Sequence, residues 1–477
     1  MPLPDRLVFN KIRDLDPVVP NVTRLENTVR ITNNNAAAID LLSIAVDNSD
    51  FEIVSGGESG VLQPGQSRDV TVRFVYENPT GLRIRLREGM LTITTSDTTL
   101  PQQNIELSGI WQSDSENGDN AGSQEANLAE IVLALGYGID VGPNTGQGDF
   151  NTGANTNGDR VRVGEEILSD AWRLADGAAQ VEVVQLAAFH QQRDPQWDGT
   201  GQPRYFPNTT LYWYADSDPV GGENYNRLFR HELEDGQSLL PRIENGTSIA
   251  GGSFDPGDVA FGFAVDRAWH SDRARNEDRG GAANSHSHRW FAAKDQDGNL
   301  IPNTYLVAQD NVGTDFSNFD YQDNVYLVRG VRPVEGALAV DNAEATGSTG
   351  GIFLTWDPST EGNVIGYHIE RAATAGGPFA RLTTSPVIDA QFNDIEAPVG
   401  TETFYRIIPV DYHGTEGGIA TASATRPDTP GLPAQPTGLE ATAIEFDRVT
   451  LVWVDNADNE SGYRVQRRVG DAPFTNV

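Results

Sequence analysis

The sequence predicts a mainly β protein in which tandem two-sheet sandwiches flank a larger, mostly antiparallel β-domain with one short helix. Three observations predict this. Short β-branched and apolar runs recur along the chain, punctuated by many of its 49 glycines and 26 prolines, at the spacing of sandwich strands. Only residues 165–175 carry a helix-like run. A tryptophan–tyrosine pattern near the end occurs twice, the mark of a repeated module. At about 100–200 residues per domain, 477 residues correspond to three or four domains.

The first segment, residues 1–112, reads as strands at 7–9, 28–32, 41–46, 51–54, 70–74, 90–95 and 105–110. The turn at 62–66 places Pro64 before Gly65, so proline presets φ and glycine accepts positive φ. Residues 113–126 are polar and turn-rich, a linker composition. Residues 127–333 form an acidic, β-rich domain with strands expected at 181–188, 210–214, 259–265, 305–307 and 325–328. A first sandwich at 334–427 and a Pro-rich linker at 428–436 precede a partial second sandwich at 437–477. Trp356 and Tyr367 in the first copy answer to Trp453 and Tyr463 in the second. The second copy stops at Val477, so the natural polypeptide is expected to continue.

Composition excludes several functions. There is no cysteine, hence no disulfide framework, thiolate zinc site or cysteine nucleophile. Acidic residues number 68 against 34 basic ones, a formal charge of -34, which argues against a nucleic-acid groove or an anionic-membrane face. Lysine occurs only at Lys11 and Lys294. No apolar stretch approaches the roughly 18–20 residues that cross a bilayer, so no membrane insertion is expected. The first five residues lack a basic segment followed by an apolar core, so no signal peptide is read there. The charge is uneven: residues 113–334 hold 34 acidic and 16 basic residues, whereas residues 1–112 hold 14 and 10.

That excess directs attention to residues 310–323, where Asp310, Asp315, Asp320 and Asp323 are mixed with asparagine and glycine before a β-forming strand. Calcium takes six to eight oxygens, which clustered Asp and Asn on tight turns supply. Asp315, Asp320 and Asp323 are therefore the principal calcium candidates, beside the reading of an Asp-rich turn without metal. Asp295, Asp297 and Asn299 form a second oxygen-rich loop. Aligned on Gly298, that loop has Ala293 and Thr304 at its terminal ligand positions, which favours a simple turn. Residues 149–159 are similarly rich in oxygen ligands and lack a bidentate glutamate. His286 and His288 fall on one face of an extended chain, an alternative reading being a zinc or copper site with His270 or Asp272. Exposed or hydrogen-bonded histidines are the preferred reading. Trp213, Tyr214 and Trp290 are candidates for stacking on sugars, with one side of the 211–214 strand expected in the core. Nucleophile-elbow, phosphate-loop and dinucleotide motifs are absent, so the enzyme assignment leans to no.

Several of these stretches resemble known families. Val8-Phe9, the 29–33 strand, Pro64-Gly65 before residues 70–74, and Leu107-Ser108-Gly109 resemble the hydin and choice-of-anchor D type of immunoglobulin-like domain. Asp320-Tyr321-Gln322-Asp323-Asn324-Val325, with the 294–305 and 181–190 stretches, is similar to a calcium-associated extracellular module of secreted bacterial proteins. The paired Trp–Tyr segments resemble fibronectin type III domains. Together these resemblances imply a non-catalytic extracellular or cell-surface modular protein with structural, adhesive or ligand-display roles. Its implied partners are glycans or other surface proteins, with self-association as a further expectation. Two alternatives stay open: a carbohydrate-binding part of a secreted polysaccharide-degrading enzyme, and a subunit of an extracellular filament.

Overall fold

The computed structural model describes residues 6–14, 23–78, 84–114, 126–142, 163–190, 193–194, 204–205, 208–279, 286–311, 321–428, 433–444 and 448–477. The chain divides into two compact units, Met1–Glu335 and Gly336–Val477. Both are built of β-sheets, and the α-helix among the described residues is short.

The first unit opens with a sandwich. Its five-stranded sheet runs Arg6–Asp14, Gln102–Asp114, Ile84–Thr95, Ile39–Val46 and Gly60–Leu62, and its three-stranded sheet runs Glu26–Thr32, Ser67–Phe74 and Phe51–Ser55. The first and last strands pair in parallel, from Arg6 against Glu106 to Asp14 against Asp114. Between the sheets Phe9, Phe51 and Phe74 form a ring cluster with centroids 5.3–6.3 Å apart. Gly109 has no substitute there, because a Cβ would lie 2.6 Å from the Phe74 ring. Gly65 takes φ +75° in the expected turn, where the Gln66 amide bonds the Gln63 carbonyl.

The acidic domain contributes two sheets. One runs Gln237–Leu239, Val181–Phe189, Asn324–Arg329, Leu300–Gln309, His288–Lys294 and Glu166–Ile167, with Gly251–Phe254 also on Val181–Phe189. The other runs Asn226–Arg230, Thr210–Ala215, Phe261–Val265, Trp172–Leu174 and Val331–Pro333. Trp172 stacks on Trp290 at 3.9 Å between them, with Tyr305 edge-on at 4.7 Å. On the far side of the larger sheet Phe291, Leu306, Val325 and Leu327 meet Ile131 and Leu135, and also Val8 and Ile110 of the sandwich. The larger sheet is thus covered on both faces, and its strands read as continuous apolar runs instead of alternating ones. The sandwich and the acidic domain share one core.

The helix lies at Leu128–Ala134, not at 165–175. Asn127 and Glu130 close a reciprocal capping box at its start. The 165–175 stretch instead forms the strands Glu166–Ile167 and Trp172–Leu174. Ser169 turns its hydroxyl onto the Ala171 carbonyl, and Ile167 and Trp172 are drawn into two different sheets. Pairing across the molecule overrides a weak local helix preference.

In the second unit, Glu344–Ser348, Gly351–Thr355 and Gln391–Asp394 form one sheet. Ala380–Arg381, Val364–Ala372, Glu402–Asp411 and Ala420–Thr425 form the other. Trp356 meets Tyr367 edge-on at 5.2 Å within the core. Two hairpins follow, Thr437–Ile444 with Val449–Val454 and Gln466–Arg467 with Thr475–Asn476. Trp453 and Tyr463 repeat the edge-on pair at 4.9 Å. Val449, Val452, Val454 and Phe474 stay exposed.

Candidate functional site

A buried ionic network lies where the edge strand Glu166–Ile167 joins His288–Lys294. Arg289 sits in the strand His288–Lys294 directly before the apolar run Trp-Phe-Ala-Ala, and it is fully buried. A guanidinium in such surroundings requires an acid partner, and Glu166, itself fully buried, supplies it. Burial alone would raise the Glu166 carboxyl, but the charges of Arg289 and His286 outweigh burial and hold it below its ordinary value. His286 Nε2 lies 3.0 Å from the same carboxylate, and the Val163 amide donates to it at 3.1 Å. Tyr321 completes the group: its ring lies 4.4 Å from the Arg289 guanidinium, and its hydroxyl donates to the His286 carbonyl at 2.6 Å.

Beside this network is a cavity of about 10 Å³ lined by Ser169, Asp170, Ser271, His286, His288 and Trp290, among others. That is about the room one water occupies. His288 is buried, and burial together with the nearby His270 pushes its imidazole down to about 3, so it is neutral at physiological pH. Its Nδ1 lies 2.7 Å from Ser287 Oγ, which donates to the His270 carbonyl at 2.8 Å.

Other buried charges are paired in the same way. Arg275 binds Glu223 at 2.8 Å and Asp272 at 2.9 Å, and Asp235 is held by Arg24 and Arg242. His190 and His231 meet Nε2 to Nε2 at 2.8 Å, both buried.

The residues singled out by sequence are not brought together. Asp315 and Asp320 lie outside the described residues, as do 149–159. Asp323 is nearly buried at the start of Asn324–Arg329 and accepts from the Asn311 amide at 2.7 Å; Asp310 accepts from the Tyr321 amide. Asp295, Asp297 and Asn299 form the turn at the opposite end of Leu300–Gln309. Ten residues at ~3.3 Å each place the two groups roughly 30 Å apart, so they cannot share one ion. The Asp295 carboxylate is committed to its own turn, accepting from the Asp297 and Asn299 amides and the Asn299 side chain. Those hydrogen bonds are the ones that close a tight turn. Among the described residues, no three His, Asp or Glu side chains converge as a metal-binding group.

Two of the aromatic candidates need correction. Tyr214 and Trp290 are buried, Trp290 between the two sheets and Tyr214 against His270, so neither has a face open to a sugar. Trp213 is half-buried and stacks on Phe254 at 4.6 Å. His286 and His288 are likewise buried and not solvated. Sequence reasoning missed Glu166, Ser287 and Arg289. Arg289, directly before an apolar run, was the available signal, but its partner lies 123 positions away.

No family model and no curated protein matches the chain. Solved structures do align with it, at low scores. An Fn3-like protein from Clostridium thermocellum shares 21% identity over 20% of this chain and 94% of its own, with a TM-score of 0.16. The FN1–FN3 domains of chicken CNTN1 align at 10% identity over 88% of this chain and 97% of theirs, TM-score 0.19. A beta-1,2-glucanase from Parabacteroides distasonis aligns at 13% identity over 83% of this chain and 39% of its own, TM-score 0.18.

Proposed function

We propose that this chain is a non-catalytic modular protein of the cell surface or the extracellular space, in which a rigid acidic β-domain is displayed by sandwich modules. The observation that carries this reading is the shared core. Val8 and Ile110 of the sandwich bury into the same cluster as Leu327 of the acidic domain, an arrangement that suits a stiff structural element. The buried acids of the acidic domain support it too, since Glu166, Asp235 and Glu223 each neutralise a neighbouring arginine. The setting outside the cell comes from the resemblances of the sequence to extracellular modules.

Calcium enters this proposal at the acidic turn that ends with Asp323, where it would neutralise carboxylates whose mutual repulsion opposes folding. The Asp295 turn is not part of it. The test is calorimetry of the full chain with calcium and with chelator. A melting temperature that rises with calcium, and an Asp323→Asn variant that loses the rise, are expected. An unchanged melting temperature with no bound calcium removes calcium from the proposal. Hydrolysis of polysaccharide by the full chain would refute the non-catalytic reading itself.

A further inference from the structure

Arg267 stands where the backbone disfavours it. The strands Phe261–Val265 and Trp269–His270 are joined by a turn in which Asp266 and Arg267 both take positive φ, +50° and +58°, and the Ala268 amide closes on the Val265 carbonyl at 2.9 Å. Turns with two such positions favour Asn-Gly or Asp-Gly, because glycine accepts positive φ without a Cβ clash. Asp266 fits that rule, and its carboxylate accepts from the Thr210 amide at 2.8 Å. An arginine in place of the glycine carries a steric penalty, and no acid of the fold takes up its charge. Arg267 is exposed, and among the described residues its guanidinium makes no hydrogen bond or ion pair. It lies instead over the Tyr212 ring at 4.8 Å and the Tyr225 ring at 5.6 Å. Both tyrosines are half-buried, and their rings meet edge-on at 5.9 Å. Trp213 pairs with Phe263, which packs on Trp290 between the sheets, so alternation puts Tyr212 on the opposite face. The Tyr225 hydroxyl is held by His270 at 2.7 Å and Glu223 at 3.1 Å, whereas the Tyr212 hydroxyl makes no hydrogen bond among the described residues. An oriented guanidinium and a phenol with unspent donors thus sit side by side on an aromatic surface.

We propose that Arg267, Tyr212 and Tyr225 form a binding site for a carboxylated sugar, a uronate residue of a glycan. A planar guanidinium grips a carboxylate through two parallel N–H bonds, and the tyrosine rings beneath Arg267 hold its fork in place. The Tyr212 ring supplies apolar surface for a pyranose, and its hydroxyl a partner for a sugar hydroxyl. Charge decides the class of ligand. A neutral sugar would leave the guanidinium unpaired, and a cation would be repelled. One arginine suits one carboxylate and not the run of phosphates on a nucleic acid, which calls for several bases. The inference rests on the display reading above and names what the displayed domain holds.

The test is isothermal titration calorimetry of the full chain with a glucuronate-terminated oligosaccharide, with its carboxyl-reduced neutral counterpart and with acetate. Saturable one-to-one binding of the uronate sugar is expected, at least about 10-fold tighter than either control. Arg267→Gly should weaken that binding roughly 10–100-fold and leave the melting temperature unchanged or raised, because glycine relieves the turn. Tyr212→Phe, which keeps a ring under Arg267, should weaken it about 3–10-fold. Should Arg267→Gly fail to fold by circular dichroism, the Tyr212→Phe affinity decides alone. Arg468→Gln, which removes an arginine over Phe474 at 5.0 Å in the second unit, should bind as the parent does. An Arg267→Gly variant that binds as the parent does would assign Arg267 to the fold alone and overturn the proposal. So would a parent that binds none of the three probes, or binds the neutral sugar as well as the uronate. Absence of binding leaves the non-catalytic reading standing, whereas cleavage of the bound oligosaccharide would refute that reading and leave the site.

Discussion

The His190–His231 contact shares a single proton. His231 Nδ1 donates to the Glu232 carbonyl, so its Nε2 accepts, from the Thr209 amide at 3.1 Å and from His190 at 2.8 Å. A proton added to His231 Nε2 would face two donors in a buried site. Burial pushes His231 down to about 4, and burial together with the charge of His231 pushes His190 down as well. The sign follows from linkage. A folded-state value below the unfolded one near 6.5 means the unfolded chain binds more protons as pH falls. Stability from His231 is complete above about 6.5 and is lost as pH falls towards about 4, and His190 adds to the loss in the same direction. Melting temperatures across that window should fall steeply, and His231→Gln should shallow the fall. A flat profile would contradict the pairing. The composition shows seven histidines but not which of them meet, because His190 and His231 are 41 positions apart.

Among the elements, the short helix shows how packing outweighs propensity. Seven residues are too few for a stable helix in water, and Leu128–Ala134 persists because one face is buried in the shared core. Ile131 is fully buried, whereas Leu133 on the opposite side is 54% exposed. Ile131→Ala should cost about 2–5 kcal/mol, and Leu133→Ala less than about 0.5 kcal/mol, measured by urea unfolding. Equal effects would mean the helix is not seated as described. Strands of the first sandwich such as Ser67–Phe74 were legible because their faces differ: buried and half-buried side chains alternate along its second half. His288–Lys294 was not legible. It is covered on both faces and carries a histidine and an arginine inward, so it shows no alternation, and its apolar run is only the short Trp-Phe-Ala-Ala. The helix itself was signalled by Asn127 and Glu130, a three-residue spacing easily lost beside the longer 165–175 run.

At the scale of the molecule, the sequence separates a sandwich at 1–112 from an acidic domain by a polar stretch, yet both fall in one compact unit. The apolar residues that join them, Val8 and Ile110, sit on the opposite face from the Phe9 and Trp111 that fill the sandwich. On sequence alone they are ordinary members of a strand. Cooperative unfolding follows from a common core. Ile110→Ala in the sandwich and Leu327→Ala in the acidic domain should lower the same calorimetric transition, each by about 2–5 kcal/mol of stability. Two separate transitions, each moved by only one substitution, would show that the shared core does not couple them.

The parallel pairing of Arg6–Asp14 with Gln102–Asp114 also has a mechanical meaning. In a parallel pair, the start of one strand and the end of the other lie at opposite ends of the ladder. Tension applied to the chain at residues 6 and 114 therefore loads the two strands in shear, so that all the hydrogen bonds of the ladder bear the force together instead of parting one by one. That is the orientation in which a sandwich resists being pulled open.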